Sequence, residues 1–146
     1  MPIRLLDIFN VMRVMRRYTI LSLLICLFII HAASGQDKFV RDLSVSEFKA
    51  ALDSVSGEVL LDLRTPEELK GGIIPGAVHI DYFDKDFEDQ LIALDKNKTY
   101  FIYCAGGGRS GEAKELMEKH DFKAVYNLPE GFNGGKQARM PIEKKQ

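Results

Sequence analysis

Short apolar runs that alternate with helical patterns predict an α/β domain with a mainly parallel sheet. Residues 58–63 form a short apolar run that is typical of a buried strand. Residues 99–103 are all β-branched or aromatic and form the clearest strand of the sequence. Capping-box patterns that begin at Ser44 and Thr65 mark two helix starts. Because functional groups in such sheets collect beyond the carboxyl ends of the strands, we expect the site there.

The spacing of apolar residues and the positions of glycine and proline predict the elements in order. They are a strand at 39–43, a helix from Ser44 to about Asp53, a strand at 58–63, a short helix that ends before Gly71-Gly72, a strand at 77–80, a helix near 84–94, a strand at 99–103, a helix after Ser110 and a strand at 124–128. The glycine-rich and then basic tail at 129–146 has no clear pattern, and its charges are interpreted as a solvated terminus.

The first 35 residues have the order of a secretory signal. They contain four arginines and one acidic residue, and an uncharged run at 18–30 follows the last arginine. Small residues come next, so we expect cleavage near residues 34–36. The apolar run is shorter than the roughly 20 residues of a spanning helix, and an uncleaved membrane anchor is the alternative. The chain start is expected at one of three methionines, Met1, Met12 or Met15.

These features predict three regions and a location. Residues 1–35 form a signal peptide or anchor, residues 38–142 form the domain, and residues 143–146 form a short polar tail. We expect an exported protein, periplasmic or extracytoplasmic, with attachment to the inner membrane as the alternative.

Composition limits the partners. The net charge of −1 and the 46% of hydrophobic residues are typical of an ordinary globular domain, and they give no electrostatic basis for nucleic-acid binding. We expect a monomer with no membrane contact apart from the alternative anchor. His79 and His120 have no partners at metal-ligand spacing, so no metal site is expected. Cys26 lies in the signal, which leaves Cys104 as the single cysteine of the mature chain, without a partner for an internal disulfide.

Cys104 follows the strand at 99–103 directly and begins the loop Cys104-Ala105-Gly106-Gly107-Gly108-Arg109. A reactive cysteine must be a thiolate, which needs fixed donors or positive charge nearby. The glycines allow successive backbone N–H groups to face one point, and the following helix adds a partial positive charge at its N-terminus. Arg109 adds a permanent cation and is expected to organise the loop by donating to carbonyls or a carboxylate. The combination favours a reactive thiol over a buried apolar cysteine.

The residues around the loop receive structural interpretations. Asp62 and Arg64, at the end of the strand at 58–63, are expected to form an ion pair that fixes the loops. Ser110 is interpreted as an N-cap rather than a nucleophile. Glu67 and Glu68 are explained by helix capping.

The length of the loop bears on its ligand. Four residues separate Cys104 from Arg109, whereas phosphate-binding cysteine loops of the tyrosine-phosphatase kind have five. The shorter loop makes a tighter cup, which matches a sulfur atom better than a phosphate tetrahedron. Phosphatase or arsenate-reductase chemistry is thereby disfavoured and remains an alternative.

Four segments resemble, in order, the motifs of the rhodanese-like family of single-domain sulfurtransferases. They are the strand and short helix at 60–68, the sequence GIIPGA at 72–77, which resembles the family's GHIPGA turn, the active-site loop at 103–110 and the final strand and turn at 125–132. Each segment is weak alone, but the order and spacing make the match specific over roughly residues 38–142. The resemblance implies a five-stranded, mainly parallel sheet flanked by helices on both faces.

The resemblance also implies a function. Cys104 would take sulfur from thiosulfate or another sulfane-sulfur donor as a persulfide and pass it to a thiol or to cyanide, with residues 105–109 binding the substrate and no cofactor. Three positions depart from the family pattern, namely Ile73, Glu130 and Gly135. Because residues 105–108 carry at most a methyl group, the loop has no side chain that reads a substrate. Within this family two functions remain open: a thiosulfate-type sulfurtransferase, and a non-catalytic persulfide carrier or protein-binding module.

Overall fold

The computed structural model describes residues 12, 13, 15–19, 22 and 38–144. The described residues before residue 38 are helical and exposed, whereas residues 23–36, with the expected cleavage region, lie outside the described part of the chain. Among the described residues, no helix has the length and the apolar character that crossing a membrane requires. The chain divides after residue 36, and the second unit contains the whole sheet.

Residues 38–144, the described part of the second unit, form five strands, four α-helices and one 3-10 helix. In chain order they are β1 (Phe39–Asp42), α1 (Val45–Ser54), β2 (Val59–Asp62), the 3-10 helix (Glu68–Gly71), β3 (Val78–His79), α2 (Phe87–Ile92), β4 (Thr99–Tyr103), α3 (Gly108–Lys119), β5 (Ala124–Asn127) and α4 (Gly131–Gln137).

All five strands are parallel and form one sheet in the order β1-β5-β4-β2-β3. Parallel neighbours need a crossover connection, which the helices supply. The strand β4 lies at the centre, paired with β2 on one side and β5 on the other. The carboxyl end of this central strand, where Cys104 follows, is therefore surrounded by the ends of neighbouring strands.

Two hydrophobic cores lie on opposite faces of the sheet, because successive residues of a strand point to opposite sides. Along β4 and into the loop, Tyr100, Ile102 and Cys104 belong to one core, and Phe101 and Tyr103 belong to the other. The helices α2 and α3 cover the first core, and α1 and α4 cover the second. The prediction of a parallel five-stranded sheet with helices on both faces is confirmed.

Local sequence signals fix the start of α1. The Ser44 hydroxyl accepts a hydrogen bond from the Glu47 backbone N–H, and the Glu47 carboxylate accepts one from the Ser44 backbone N–H at 3.0 Å. This reciprocal pair satisfies two free donors of the helix terminus. The helix then buries Phe48 completely, with its ring edge-on to Phe101 at 5.2 Å.

The tail after β5 differs from its prediction as a solvated terminus. Residues 131–137 form α4, and Phe132 and Met140 are buried in the second core. Lys136 and Arg139 are exposed, as expected. Three glycines in this helix give it low intrinsic propensity, so packing rather than local sequence stabilises it, and a pattern of single residues could not reveal it.

Candidate active site

Cys104 lies at the carboxyl end of β4, at the start of the loop that leads into α3. Only 1% of its surface is exposed. Gly106 and Gly108 of the loop are exposed, and a side chain added at either would meet open space. The thiol is therefore buried, whereas the loop that follows it exposes backbone without side chains at two positions.

Hydrogen-bond donors converge on the Cys104 sulfur. The Gly107 backbone N–H donates to Sγ at 3.1 Å, and the Ser110 hydroxyl lies 3.6 Å from the same atom. Burial is the largest single influence and raises the pKa of Cys104, but donors from Ser110, Gly106 and Gly107 together outweigh it, and the net pKa is lowered from 9.0. The loop therefore favours the thiolate, the nucleophilic form of cysteine.

Ser110 occupies a different position from the N-cap predicted for it. The helix α3 begins at Gly108, its N-cap is Gly107, and Ser110 lies in the first turn. The glycine loop continues directly into the helix, so the helix starts three residues earlier than the sequence pattern indicates. From this position the Ser110 hydroxyl can donate to Sγ or to the Gly107 carbonyl oxygen, 3.1 Å away.

Two glycines make a close backbone contact that fixes the loop. Gly107 has a φ of +91°, and a Cβ there would lie 1.9 Å from the Pro129 carbonyl oxygen. Gly131 has a φ of +60°, and a Cβ there would lie 2.7 Å from the Cys104 carbonyl oxygen. The backbone N–H of Phe132 donates to that same oxygen at 2.7 Å. The turn after β5 therefore holds the loop at a distance that only glycine permits.

Arg109 binds a carboxylate from another part of the chain. Its guanidinium donates to both carboxylate oxygens of Glu68, at 2.9 and 2.7 Å. These bonds are the largest influence that lowers the pKa of Glu68, from 4.5 to about 2. Glu68 also accepts from the Thr65 backbone N–H at 2.8 Å, as the capping box predicts. The pair joins the Cys104 loop to the 3-10 helix. The hydrogen bonds to Glu68 are the largest influence that raises the pKa of Arg109, and interaction with the Cys104 sulfur raises it as well.

Asp62 and Arg64 form a buried ion pair, with 2.6 Å between Oδ2 and the guanidinium. Arg64 also donates to the Gly72 carbonyl oxygen at 2.8 Å, and its guanidinium lies 3.8 Å from the centroid of the Phe132 ring. Tyr103, the residue before Cys104, donates to Asp62 Oδ2 at 2.6 Å. Burial is the largest influence that raises the pKa of Tyr103, so its hydroxyl remains a donor. This network connects the ends of β2 and β4.

The structure brings together all the residues proposed from the sequence. Cys104 and residues 105–109 form the loop, Ser110 lies beneath it, and the ion pair lies at the end of the neighbouring strand. Sequence reasoning missed the part that Glu68, Tyr103 and the turn at 129–131 take in the site. Glu68 was explained by helix capping alone, without its bond to Arg109. For Tyr103, its position next to the cysteine is the one signal that could have indicated a role.

A parallel five-stranded sheet with a cysteine loop at the end of its central strand defines the class of protein, and comparison with known proteins gives the family. The model of the family "Rhodanese-like domain" matches residues 44–138, and the chain belongs to this family. The chain is 35% identical over 93 residues to the "Putative sulfur carrier protein YrkF" of Bacillus subtilis, covering 64% of this chain and 49% of the relative. It therefore spans about half the length of that relative.

Two further similarities have greater coverage. The chain is 30% identical over 96 residues to the "Thiosulfate sulfurtransferase PspE" of Escherichia coli, covering 64% of this chain and 86% of the relative. The crystal structure of a rhodanese-like domain protein from Staphylococcus aureus superposes with a TM-score of 0.61 at 29% identity, covering 73% of this chain and 99% of that one. The relatives thus include one that is named a putative sulfur carrier protein and one that is named a thiosulfate sulfurtransferase.

Proposed function

We propose that the protein is an exported sulfurtransferase that carries sulfur as a persulfide on Cys104. The observation that supports this most is the convergence of the Gly107 N–H and the Ser110 hydroxyl on a single buried sulfur. Such a cradle stabilises an anion on sulfur, and both a thiolate and a persulfide are anions of this kind. The relatives named as sulfurtransferases favour a transferase. One of them is named a thiosulfate sulfurtransferase, which supports thiosulfate as the sulfur donor.

The reaction has two balanced steps. In the first, the Cys104 thiolate attacks the outer sulfur of thiosulfate, the S–S bond of thiosulfate breaks, and sulfite leaves with the bonding pair. In the second, an acceptor thiolate or cyanide attacks the outer sulfur of the persulfide, and Cys104 leaves as a thiolate. The donors at Sγ stabilise the attacking group before the first step and the leaving group in the second.

A persulfide carrier without multiple turnover is the second candidate. Residues 105–108 present backbone and one methyl group, so the loop has no side chain to orient a small donor. The same thiol chemistry would then operate once per encounter with a partner. The two candidates differ in turnover rather than in the site of the sulfur.

The Arg109 contact argues against phosphatase chemistry. In a phosphate-binding loop the arginine must direct its guanidinium at the phosphate oxygens, as planar bidentate recognition requires. Here that bidentate face binds Glu68 at 2.9 and 2.7 Å. A phosphate would have to break this pair and approach the Glu68 carboxylate.

Intact mass spectrometry before and after thiosulfate tests the proposal, with Cys104→Ser as the control. We expect the wild type alone to gain one sulfur atom, about 32 Da. Addition of cyanide or a thiol then separates the candidates, because an enzyme turns over many times and a carrier once. A wild type that gains no mass, or a Cys104→Ser variant that gains as much, would contradict the function.

Export is the part of the proposal that rests on the sequence alone. Sequencing of the N-terminus of protein purified from cells checks it. A new N-terminus near residues 34–36 would support a cleaved signal. An N-terminus at residue 1 or 2 would exclude cleavage.

A further inference from the structure

A groove of about 670 Å³ lies between α2 and α3. Its lining includes neither Cys104 nor any other residue of the loop at 104–109. Glu112 lines the groove and follows Arg109 by three residues on α3, which places the groove about one helical turn beyond the loop. Phe87 and Leu116 contribute an apolar surface. A molecule seated here would lie about one helical turn from the Cys104 loop.

Acidic side chains dominate this groove. Five carboxylates and two lysines line it, and they are Asp84, Glu88, Asp89, Glu112 and Glu115, against Lys85 and Lys119. All seven side chains are exposed. In the described part of the chain, none of the five carboxylates forms an ion pair with a basic side chain, whereas Lys85 lies 3.9 Å from Asp86 outside the groove lining. Glu112 accepts a hydrogen bond from the Tyr82 hydroxyl and Asp84 accepts one from Gln90, but neither bond neutralises charge. The surplus of negative charge favours a cationic occupant.

An exposed aromatic residue connects the groove to the loop. Phe83 is 69% exposed, and its ring centroid lies 5.5 Å from the Arg109 guanidinium. Its ring is also edge-on to Tyr82 at 5.3 Å, and Tyr82 lines the groove and packs on Phe87 at 4.8 Å. Water-exposed aromatic rings that are held by neighbouring rings are characteristic anchors of protein interfaces.

We propose that this groove docks an acceptor protein that presents a basic segment with an apolar side chain and places its own thiol at Cys104. The proposal rests on the proposed function, since the docked thiol is the acceptor of the second step. The acidic groove attracts the basic segment, and Phe83 and the apolar surface contact its apolar side chain. The Cys104 loop itself then contacts only the sulfur that is transferred. A protein fits better than a small thiol, because the groove extends along α3 to Lys119, well beyond the reach of a single thiol.

The transfer itself conserves atoms and electrons. The partner thiol loses its proton to solvent, and its thiolate attacks the outer sulfur of the Cys104 persulfide. The S–S bond to Cys104 breaks, and Cys104 leaves as a thiolate with the bonding pair. No further oxidant or reductant is consumed.

A pair of synthetic peptides tests the proposal on the full chain. Each peptide has one cysteine followed by alternating charged residues and leucines, with lysine in one peptide and glutamate in the other. Cys104 is first loaded from thiosulfate, and transfer is followed by the mass of protein and peptide. We expect the lysine peptide to react at least about tenfold faster at low ionic strength, with the difference shrinking at high salt as charges are screened.

Charge reversal at the groove supplies the matched variant. Glu88→Lys with Glu115→Lys should abolish or invert the preference between the peptides and leave transfer to uncharged 2-mercaptoethanol unchanged. Glu118→Lys is the control, because Glu118 is an exposed carboxylate of α3 outside the groove. It should retain the wild-type preference.

The outcomes separate this proposal from the proposed function. A wild type that takes no sulfur on Cys104 would overturn both. If Cys104 takes up sulfur but the two peptides react at equal rates, the docking proposal alone is overturned. The same holds if Glu118→Lys loses the preference between the peptides as fully as the groove variant does. If sedimentation shows that the wild type is a dimer and the groove variant is a monomer, the groove binds a second copy of the chain, and the docking proposal is overturned.

Discussion

Replacement of Gly107 by alanine tests whether contact with the turn after β5 fixes the Cys104 loop. The φ of Gly107 is +91°, and a left-handed conformation costs an L-residue on the order of 1–2 kcal/mol. The added Cβ would lie 1.9 Å from the Pro129 carbonyl oxygen, so one of the two backbones must move. Forced movement of packed groups adds about 1–3 kcal/mol.

We therefore expect Gly107→Ala to lower the free energy of unfolding by about 2–5 kcal/mol, the sum of these two costs. Urea unfolding followed by circular dichroism measures it, and the midpoint should fall by about 1 M or more. The variant should also react more slowly with iodoacetamide near neutral pH, because the displaced Gly107 N–H no longer stabilises the thiolate.

Gly106→Ala is the matched control. Gly106 lies one residue earlier in the same loop, has no left-handed φ and has open space where a Cβ would be added. Its unfolding free energy should stay within about 1 kcal/mol of the wild type. If both variants unfold at the wild-type midpoint, the loop moves away from Pro129 without cost, and the argument for a fixed cradle is refuted.

Three further substitutions test the contacts around the loop. Tyr103→Phe should lower the unfolding free energy by about 1–3 kcal/mol in urea titration, because a buried carboxylate and a backbone N–H each lose a partner; an unchanged midpoint would contradict the network. Glu68→Gln should lower the free energy of unfolding at pH 7. The pKa of Glu68 falls from 4.5 to about 2 on folding, so the ionised carboxylate stabilises the folded protein fully above pH 4.5, and this effect declines as the pH falls toward 2. The difference between wild type and variant should therefore shrink in urea titrations from pH 7 to 3.5, whereas Glu67→Gln, at an exposed ion pair, should show little effect at any pH. Ser110→Ala should raise the pKa of Cys104, and the midpoint of the pH profile of its alkylation should shift upward; a downward shift would show that the hydroxyl does not donate to sulfur.

The fold and the thiol could be predicted because their signals are local. An apolar run at 99–103 that ends in Cys104 and a glycine loop places the thiol at the end of a strand, whatever the rest of the chain does. The bond between Arg109 and Glu68 joins residues 41 positions apart. It requires β2 and β4 to be neighbours, which no spacing along the chain reveals. The helix α4 was not predicted for a related reason, because tertiary packing stabilises it despite the low helix propensity of its glycines.

The composition of the loop decides where specificity can reside. Residues 105–108 offer backbone N–H groups and one methyl group, which distinguish ligands by charge and size but not by shape. Arg109, the one charged side chain of the loop, is bound to Glu68. Under the proposed function, a loop of this kind would stabilise a persulfide on Cys104 equally well whatever donor supplied the sulfur. Discrimination between acceptors must then come from surfaces outside the loop, because specificity is a difference in binding free energy between competing partners. The acidic groove along α3 begins about one helical turn beyond Arg109, at the end of the loop. We expect this groove to discriminate between acceptors by the charge of the segment that each one presents.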